Sequence, residues 1–256
     1  MIRQPIVVIV GHIDHGKSSI LERIKGISIT KGEAGGITQS LKSYNVPFSA
    51  IDKFCGPLLK HVSFKLNLPG LLFLDTPGHA AFNNMRKRGG NLADIALLVV
   101  DCHQGMQEQT LESITILRQY KTPFILVLNK VDLVDGWRSG SSGLLQALKS
   151  QNERTQQQLD NILYTTVAKL SELGFQAERF DRISDYTNQV AIVPVSAKTG
   201  EGLPELLMVL LGLAQKYLEK SLQTEASGPG KGTILEVKEE SGVGTILDVV
   251  IYDGSL

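Results

Sequence analysis

A mainly parallel α/β sheet covered by helices on both faces is the fold class this sequence predicts. Three observations predict it. Short β-branched apolar runs recur along the chain, helical patterns separate them, and a glycine-rich loop joins the first run to the first helix. The first run, Ile6-Val7-Val8-Ile9-Val10, leads into Gly11-His12-Ile13-Asp14-His15-Gly16-Lys17-Ser18, which fits G-x-x-x-x-G-K-[ST]. Residues Ser18 to Ile24 then carry a helical pattern. Strand, loop and helix in this order are the setting in which consecutive amides and a helix N-terminus cradle an anion. The amides of Asp14, His15, Gly16, Lys17, Ser18 and Ser19 are the candidate phosphate donors. The Lys17 ammonium can reach β- and γ-phosphates, and the Ser18 hydroxyl can serve Mg²⁺.

The next elements follow in order. Val62 to Leu68 alternates with period two and predicts a half-exposed edge strand. Pro69-Gly70 marks a turn, after which Leu71–Leu74 resumes as a strand ending at Asp75, so the two runs predict a hairpin. Later strands are Ile95–Val100 ending at Asp101, Phe124–Leu128 ending at Asn129, and Val190–Val195 ending at Ser196. Residues 139–188 interrupt this rhythm. Within them Leu159, Ile162, Leu163, Val167, Leu170 and Leu173 fall near helical spacing on a polar background, which predicts one long amphipathic helix docked on the main domain. Glu205–Leu222 is a further amphipathic helix. Gln223–Gly232 reads as a linker by its Ser, Gly and Pro content. Thr233–Val237 and Thr245–Tyr252 then read as strands, and a lone hairpin is marginal in water. The expected organisation is a nucleotide-binding domain over 1–222 with a helical insertion at about 139–188, a linker over 223–232, and the truncated start of a β-rich second domain over 233–256.

Composition narrows the function classes. With 26 Lys and Arg against 26 Asp and Glu, no broad basic nucleic-acid footprint is indicated, and Arg86-Lys87-Arg88 is the densest local patch. Cys55 and Cys102 are too few for a disulfide framework in 256 residues and read as reduced thiols. No apolar stretch approaches a membrane span, and the N-terminus runs directly into the phosphate loop rather than through a signal peptide. A cytoplasmic, monomeric piece with no membrane partner is expected.

Further clusters decide which nucleotide. In Asp75-Thr76-Pro77-Gly78-His79, Asp75 can hold Mg²⁺ through a water, and the Gly78 amide can meet the γ-phosphate because glycine permits close backbone approach. In Asn129-Lys130-Val131-Asp132, the Asp132 carboxylate can accept from guanine N1–H and N2–H₂, a donor pair that adenine lacks. A polar site of this kind rejects the misfit by roughly 10⁴–10⁵. Lys130 can lie along the base plane, and Asn129 can tie its loop to the phosphate loop. Ser196-Ala197-Lys198 can supply a backbone amide for guanine O6. Thr38, in Gly35-Gly36-Ile37-Thr38-Gln39, can complete the Mg²⁺ shell when its loop closes on the γ-phosphate, which makes a hydrolysis-sensitive switch. A zinc site from His12, Asp14, His15 and His79 is disfavoured by their spacing and by the lack of a nearby thiolate.

Together GHIDHGKS, GGITQS, DTPGHAAF, NKVD and SAK resemble the translational GTPases. CGPLLKHV at 55–62, PGLLFLDTPGHAAFNNMRKRGG at 69–90, LADIALLVVD at 92–101 and TPFILVLNKVDLVDGW at 122–137 resemble the archaeal and eukaryotic initiation factor five-B family, the counterpart of bacterial initiation factor two. The resemblance implies a P-loop GTPase fold followed by the start of a β-barrel domain. It implies GTP and GDP as ligands, Mg²⁺, and room for a monovalent cation (K⁺ or Na⁺). It also implies a role in ribosomal subunit joining, with hydrolysis stimulated by the large subunit and its rRNA. Initiator tRNA would be met through domains absent here. By residue, His79 matches the histidine that orients the attacking water. Ile13 and Ile37 match the apolar gate that restrains it. Asp14, with switch carbonyls near Gly36, matches the monovalent-cation ligands. No arginine is placed as a finger, so unassisted turnover on the order of 10⁻⁴ s⁻¹ is expected. Two competing readings stand beside this one. A P-loop ATPase is opposed by Asp132, and a tRNA-delivery carrier is opposed by CGPLLKHV and the helical insertion.

Overall fold

The structure, a computed structural model, describes residues 2–28, 42–61, 65–75, 93–140, 143–219, 221–224, 228–240 and 242–254. Its centre is a seven-stranded sheet. In chain order the strands are β1 (Ile6–Gly11), β2 (Lys42–Pro47), β3 (Gly70–Asp75), β4 (Ile95–Asp101), β5 (Phe124–Asn129), β6 (Gln176–Arg179) and β7 (Gln189–Val195). Their spatial order is β2-β3-β1-β4-β5-β7-β6, and only the β2–β3 pairing is antiparallel. Every residue of β4 and β5 is buried. Successive strand side chains point to opposite faces, so both faces of the sheet are covered there, which explains the unbroken apolar runs.

The helices are α1 (Lys17–Ser28), α2 (Phe48–Cys55), α3 (Glu108–Gln119), α4 (Leu144–Ser150), α5 (Glu153–Glu172) and α6 (Leu203–Leu218). Helix α2 packs with α1 and α6, α3 packs on β1 and β4, and α5 packs beside β6. Helix α5 begins at Asn152, whose side chain accepts from the Thr155 amide at 2.8 Å and so satisfies one orphan donor of the first turn. It buries Leu159, Leu163 and Leu170, with Ile162, Val167 and Leu173 packed against the core, which is the stripe read from the spacing.

Two expectations are corrected. The antiparallel partner of β3 is Lys42–Pro47, not Val62–Leu68. Residues 56–61 form a 3₁₀ helix, 65–69 have no regular structure, and 62–64 lie outside the described residues. Leu68 is buried in this irregular segment, whose Asn67 amide donates to Gln215 Oε1 at 2.7 Å. A side chain on α6 thus takes the place of a ladder partner. In β2 the period-two signal is short, with Tyr44 and Val46 inward and Ser43 and Asn45 exposed. The insertion is also more than one helix. It contains α4 and α5, then β6, which lies parallel to β7 and extends the sheet. Its strand sequence, Gln-Ala-Glu-Arg, has the polar character of an edge and no apolar run to betray it.

Beyond α6 the chain returns to the N-terminus, where the Arg3 amide donates to Leu222 O and Ile2 bridges Gln223. Strands β8 (Lys231–Glu240) and β9 (Gly244–Asp253) form a separate antiparallel ribbon. Ile234, Val237, Leu247, Val249 and Ile251 are exposed on it.

Candidate functional site

The carboxyl ends of β1, β3, β4, β5 and β7 carry the motif residues, as expected for ligands at the open end of a parallel sheet. The loop after β1 is shaped by its glycines. Gly11 (φ 138°) lies so close to β4 that a Cβ would strike Val99 O, and Gly16 (φ 92°) abuts Asn129, whose Nδ2 a Cβ would strike. Asp14 is also left-handed, at φ 63°. These reversals turn successive amides inward, the geometry of an anion nest. The first helical bond of α1 runs from the Ile20 amide to Gly16 O, so the Lys17, Ser18 and Ser19 amides stand as first-turn donors. Ser18 and Ser19 are exposed.

His15 is fully buried, with Nδ1 3.3 Å from Val99 O, so Nδ1 is the protonated nitrogen. Burial lowers its pKa and keeps the ring neutral at pH 7. Lys17 Nζ folds back onto the loop and donates to Gly11 O at 2.9 Å and His12 O at 2.6 Å. Burial pulls the Lys17 ammonium below its ordinary pKa, against the opposing pull of Asp14 and Asp75. Asp75 pairs in register with Ile9 on β1, and its carboxylate lies near enough to Lys17 to act on that ammonium.

The second half of the site is built on β5 and β7. Asn129, 1% exposed, donates from Nδ2 to His15 O at 2.8 Å and accepts on Oδ1 from the Ala197 amide at 3.1 Å. One buried amide thus joins the phosphate loop to the loop after β7. Lys130 is left-handed (φ 68°), and its ammonium meets Asp101 at 2.7 Å. Burial pushes the Asp101 carboxyl up, but the bonds from Lys130 and the His103 amide outweigh it and hold the group below the usual carboxylate range. Asp132 sits in the 3₁₀ turn Val131–Leu133 and accepts from Ser196 Oγ at 2.5 Å. The Thr199 amide donates to Ser196 Oγ at 3.1 Å.

Phosphate-loop residues Asp14 to Ser19, the base-loop group Asn129, Lys130 and Asp132, and the group Ser196, Ala197 and Lys198 are all described, and Asn129 brings the three loops together. Ile13 is 59% exposed, and its amide donates to Gln109 Oε1 at 3.2 Å. Gly36, Ile37, Thr38, Gly78, His79 and the basic patch at 86–88 lie outside the described residues. Among the described residues, no group of three or more His, Cys, Asp and Glu side chains could hold a metal ion. Cys55 and Cys102 are buried thiols pushed up to about 12 by burial.

Sequence reasoning missed Arg23. From α1 its Nε donates to Ala197 O at 2.9 Å, and Nη2 donates to Lys198 O. It was missed because it lies outside any motif, one and a half turns into the helix. Gln109 and the Asp101 pairing were likewise unannounced, since nothing local links α3 to Ile13 or β4 to Lys130. A cavity of about 440 Å³ lined by Gly174, Asp185 and Asn188, among others, touches none of the motif residues.

The family described as the elongation factor Tu GTP binding domain matches residues 3–216. The chain is 52% identical over its full length to a probable translation initiation factor IF-2 of Thermococcus sibiricus, covering 43% of that protein. It is 54% identical, again over its full length, to the counterpart from Sulfurisphaera tokodaii, covering 42% of it. The chain therefore spans less than half the length of the curated relatives it matches. Among solved structures, GDP-bound aIF5B from Aeropyrum pernix superposes with a TM-score of 0.89 at 47% identity, over 99% of this chain and 42% of that one. The elongation factor SelB of Methanococcus maripaludis, at 22% identity and TM-score 0.62 over 99% of this chain and 43% of that one, shares the fold.

Proposed function

The chain belongs to the family of the elongation factor Tu GTP binding domain, and from that premise we propose that it is the guanine-nucleotide switch of an initiation factor that promotes ribosomal subunit joining. The observation that carries this is the Asn129 bridge. One buried side chain holds the phosphate loop against the loop after β7, beside Asp132, so the site reads the base and the phosphates as one ligand.

In this reading the amides of Asp14 to Ser19 cradle the phosphates, and Lys17 exchanges the carbonyls of Gly11 and His12 for phosphate oxygens. Asp132 accepts from the guanine N1 and N2 edge. Guanine O6 is met by the Lys198 amide or by sharing that of Ala197. Lys130, its tip pinned by Asp101, flanks the base with its methylene stem. The oxygen donors Ser18 and Asp75 suit Mg²⁺, a hard cation. When bound, Mg²⁺ neutralises charge on the β- and γ-phosphates. Thr38 and Gly78 belong to the loops that close on the γ-phosphate. His79 orients water, Ile13 and Ile37 gate it, and Asp14 with Gly36 serves a monovalent cation. Phosphoryl transfer asks mostly for positioning and charge neutralisation, so no titrating base is required. The domain boundaries proposed are 1–222, 223–232 and 233–256, the last supplying β9 and all of β8 but Lys231 and Gly232, which fall at the end of the linker. Similarity to initiation factor IF-2 over the whole chain supports the subunit-joining role over a tRNA-delivery role.

The test is single-turnover GTP hydrolysis with and without ribosomes, on the factor carrying this chain. Hydrolysis near 10⁻⁴ s⁻¹ alone, strongly accelerated by ribosomes, is expected. His79→Ala should keep GTP affinity and lose the acceleration. Acceleration that survives in the variant would remove His79 from its role, and a wild type indifferent to ribosomes would remove the translational reading.

A further inference from the structure

The inserted helices are not merely attached near the base loop. A buried carboxylate also ties segment 135–140, on which they are anchored, to the loop after β7. Glu201, 9% exposed, lies after β7 and accepts from three donors. The Gly140 amide meets Oε1 at 2.8 Å, while Trp137 Nε1 at 3.2 Å and Thr199 Oγ1 at 2.9 Å meet Oε2. On the insertion side, segment 135–138 is locked to the start of the inserted helices. Thr155 Oγ1 donates to Asp135 O, and the Gln151 side-chain amide pairs with both the amide and the carbonyl of Arg138, each at 2.8 Å. On the nucleotide side the donors run in one direction. The Thr199 hydroxyl spends its only proton on Glu201, and the Thr199 amide occupies a lone pair of Ser196 Oγ. The Ser196 hydroxyl then directs its proton to Asp132 Oδ1 at 2.5 Å.

We infer that Glu201 is a positioning residue for base recognition, coupling segment 135–140 and the inserted helices to the orientation of the Asp132 carboxylate through Thr199 and Ser196. This rests on the proposal that Asp132 reads guanine. An ionised carboxylate offers only acceptors, so three donors can converge on it. An amide keeps one acceptor oxygen and turns its two protons toward the Gly140 amide or Trp137 Nε1–H, neither of which can accept, so the three-donor arrangement breaks and the loop carrying Thr199 shifts. Asp132 then loses the fixed partner that aims it.

The consequence is read in specificity rather than in affinity alone. Inosine diphosphate keeps the N1–H of guanosine diphosphate but lacks the 2-amino group, so the ratio of the two affinities measures how well Asp132 is aimed. Glu201→Gln is expected to weaken GDP binding about tenfold, the scale of one charge-assisted hydrogen bond. Inosine diphosphate should weaken less, so the ratio falls toward one. Trp137→Phe, which keeps ring packing and removes only the Nε1 donor, should shift the ratio in the same direction by less. Trp137 is the chain's one tryptophan, so its emission in the wild type should change on GDP addition and respond less to the inosine analogue. Isothermal titration of both nucleotides, with a thermal melt of each variant, tests this. Variants that melt lower but keep the wild-type ratio would overturn the relay and leave Glu201 a structural residue. A wild type that binds neither nucleotide would overturn the guanine-site proposal itself and the relay with it.

Discussion

Replacing Asn129 by alanine removes a side chain that spans the phosphate loop and the loop after β7. Asn129 is 1% exposed and makes two bonds, one donated to His15 O at 2.8 Å and one accepted from the Ala197 amide at 3.1 Å. Leaving a buried partner unsatisfied costs roughly 1–3 kcal/mol. Two such partners set the loss at about 2–6 kcal/mol, and water entering the space left by the amide recovers part, so about 2–4 kcal/mol is expected. The loss divides between two observables. Loops that stay together without Asn129 show it as lower stability, whereas loops that separate show it as weaker binding, because nucleotide must then order them. If all of it falls on binding, the GDP dissociation constant rises roughly 30- to 700-fold, at 1.4 kcal/mol for each factor of ten. The assay is isothermal titration with GDP together with urea unfolding of the nucleotide-free protein. An Asn129→Ala protein with a GDP constant within about threefold of wild type and an unchanged urea midpoint would refute the bridge, since each factor of three is only about 0.7 kcal/mol.

Other outcomes follow from the same geometry. Asp132→Asn should weaken GDP and favour xanthosine diphosphate, whose oxygen at position 2 meets the new amide. Competition between the two nucleotides reads this, and unchanged GDP preference would remove Asp132 from base reading. Arg23→Ala frees the carbonyls of Ala197 and Lys198 and should speed GDP dissociation by about tenfold, one to two charge-assisted bonds softened by partial exposure. Stopped-flow release of a fluorescent GDP at an unaltered rate would contradict it. The Asp101 pKa is lowered in the fold, so its contribution to stability is present above the unfolded value of about 3.9 and is lost as pH falls through the folded value. Asp101→Asn should therefore melt below the wild type at pH 7, with the gap narrowing below about pH 4. A gap that does not change with pH would contradict the pairing with Lys130.

The sheet's interior was legible because β4 and β5 are buried at every position, which forces unbroken apolar runs. The phosphate loop was legible because its glycines answer local demands. Gly11 must clear Val99 O, and Gly16 must clear Asn129. The edges were not legible. Strand β6 is polar, and β2 turns Tyr44 and Val46 inward, whereas the period of two read over Val62–Leu68 runs into 65–68, which have no regular structure. Alternation records which side chains face a core, and an irregular segment held by Gln215 can satisfy that as well as a strand can. In the site, residue types at strand ends were readable. What ties them across the chain was not, because Arg23, Gln109 and Glu201 act over distances of 174, 96 and 61 residues in sequence. No local pattern encodes such partners.

The central claim is that Asp132, held by Ser196 within loops joined through Asn129, makes this a pocket for guanine. Parallel titration of the purified wild-type chain with GDP and with ADP tests it most directly. Tight binding of GDP, with ADP weaker by a factor of roughly 10⁴ or more, is the predicted result. Comparable affinities for the two, or GDP binding no tighter than ADP, would contradict it.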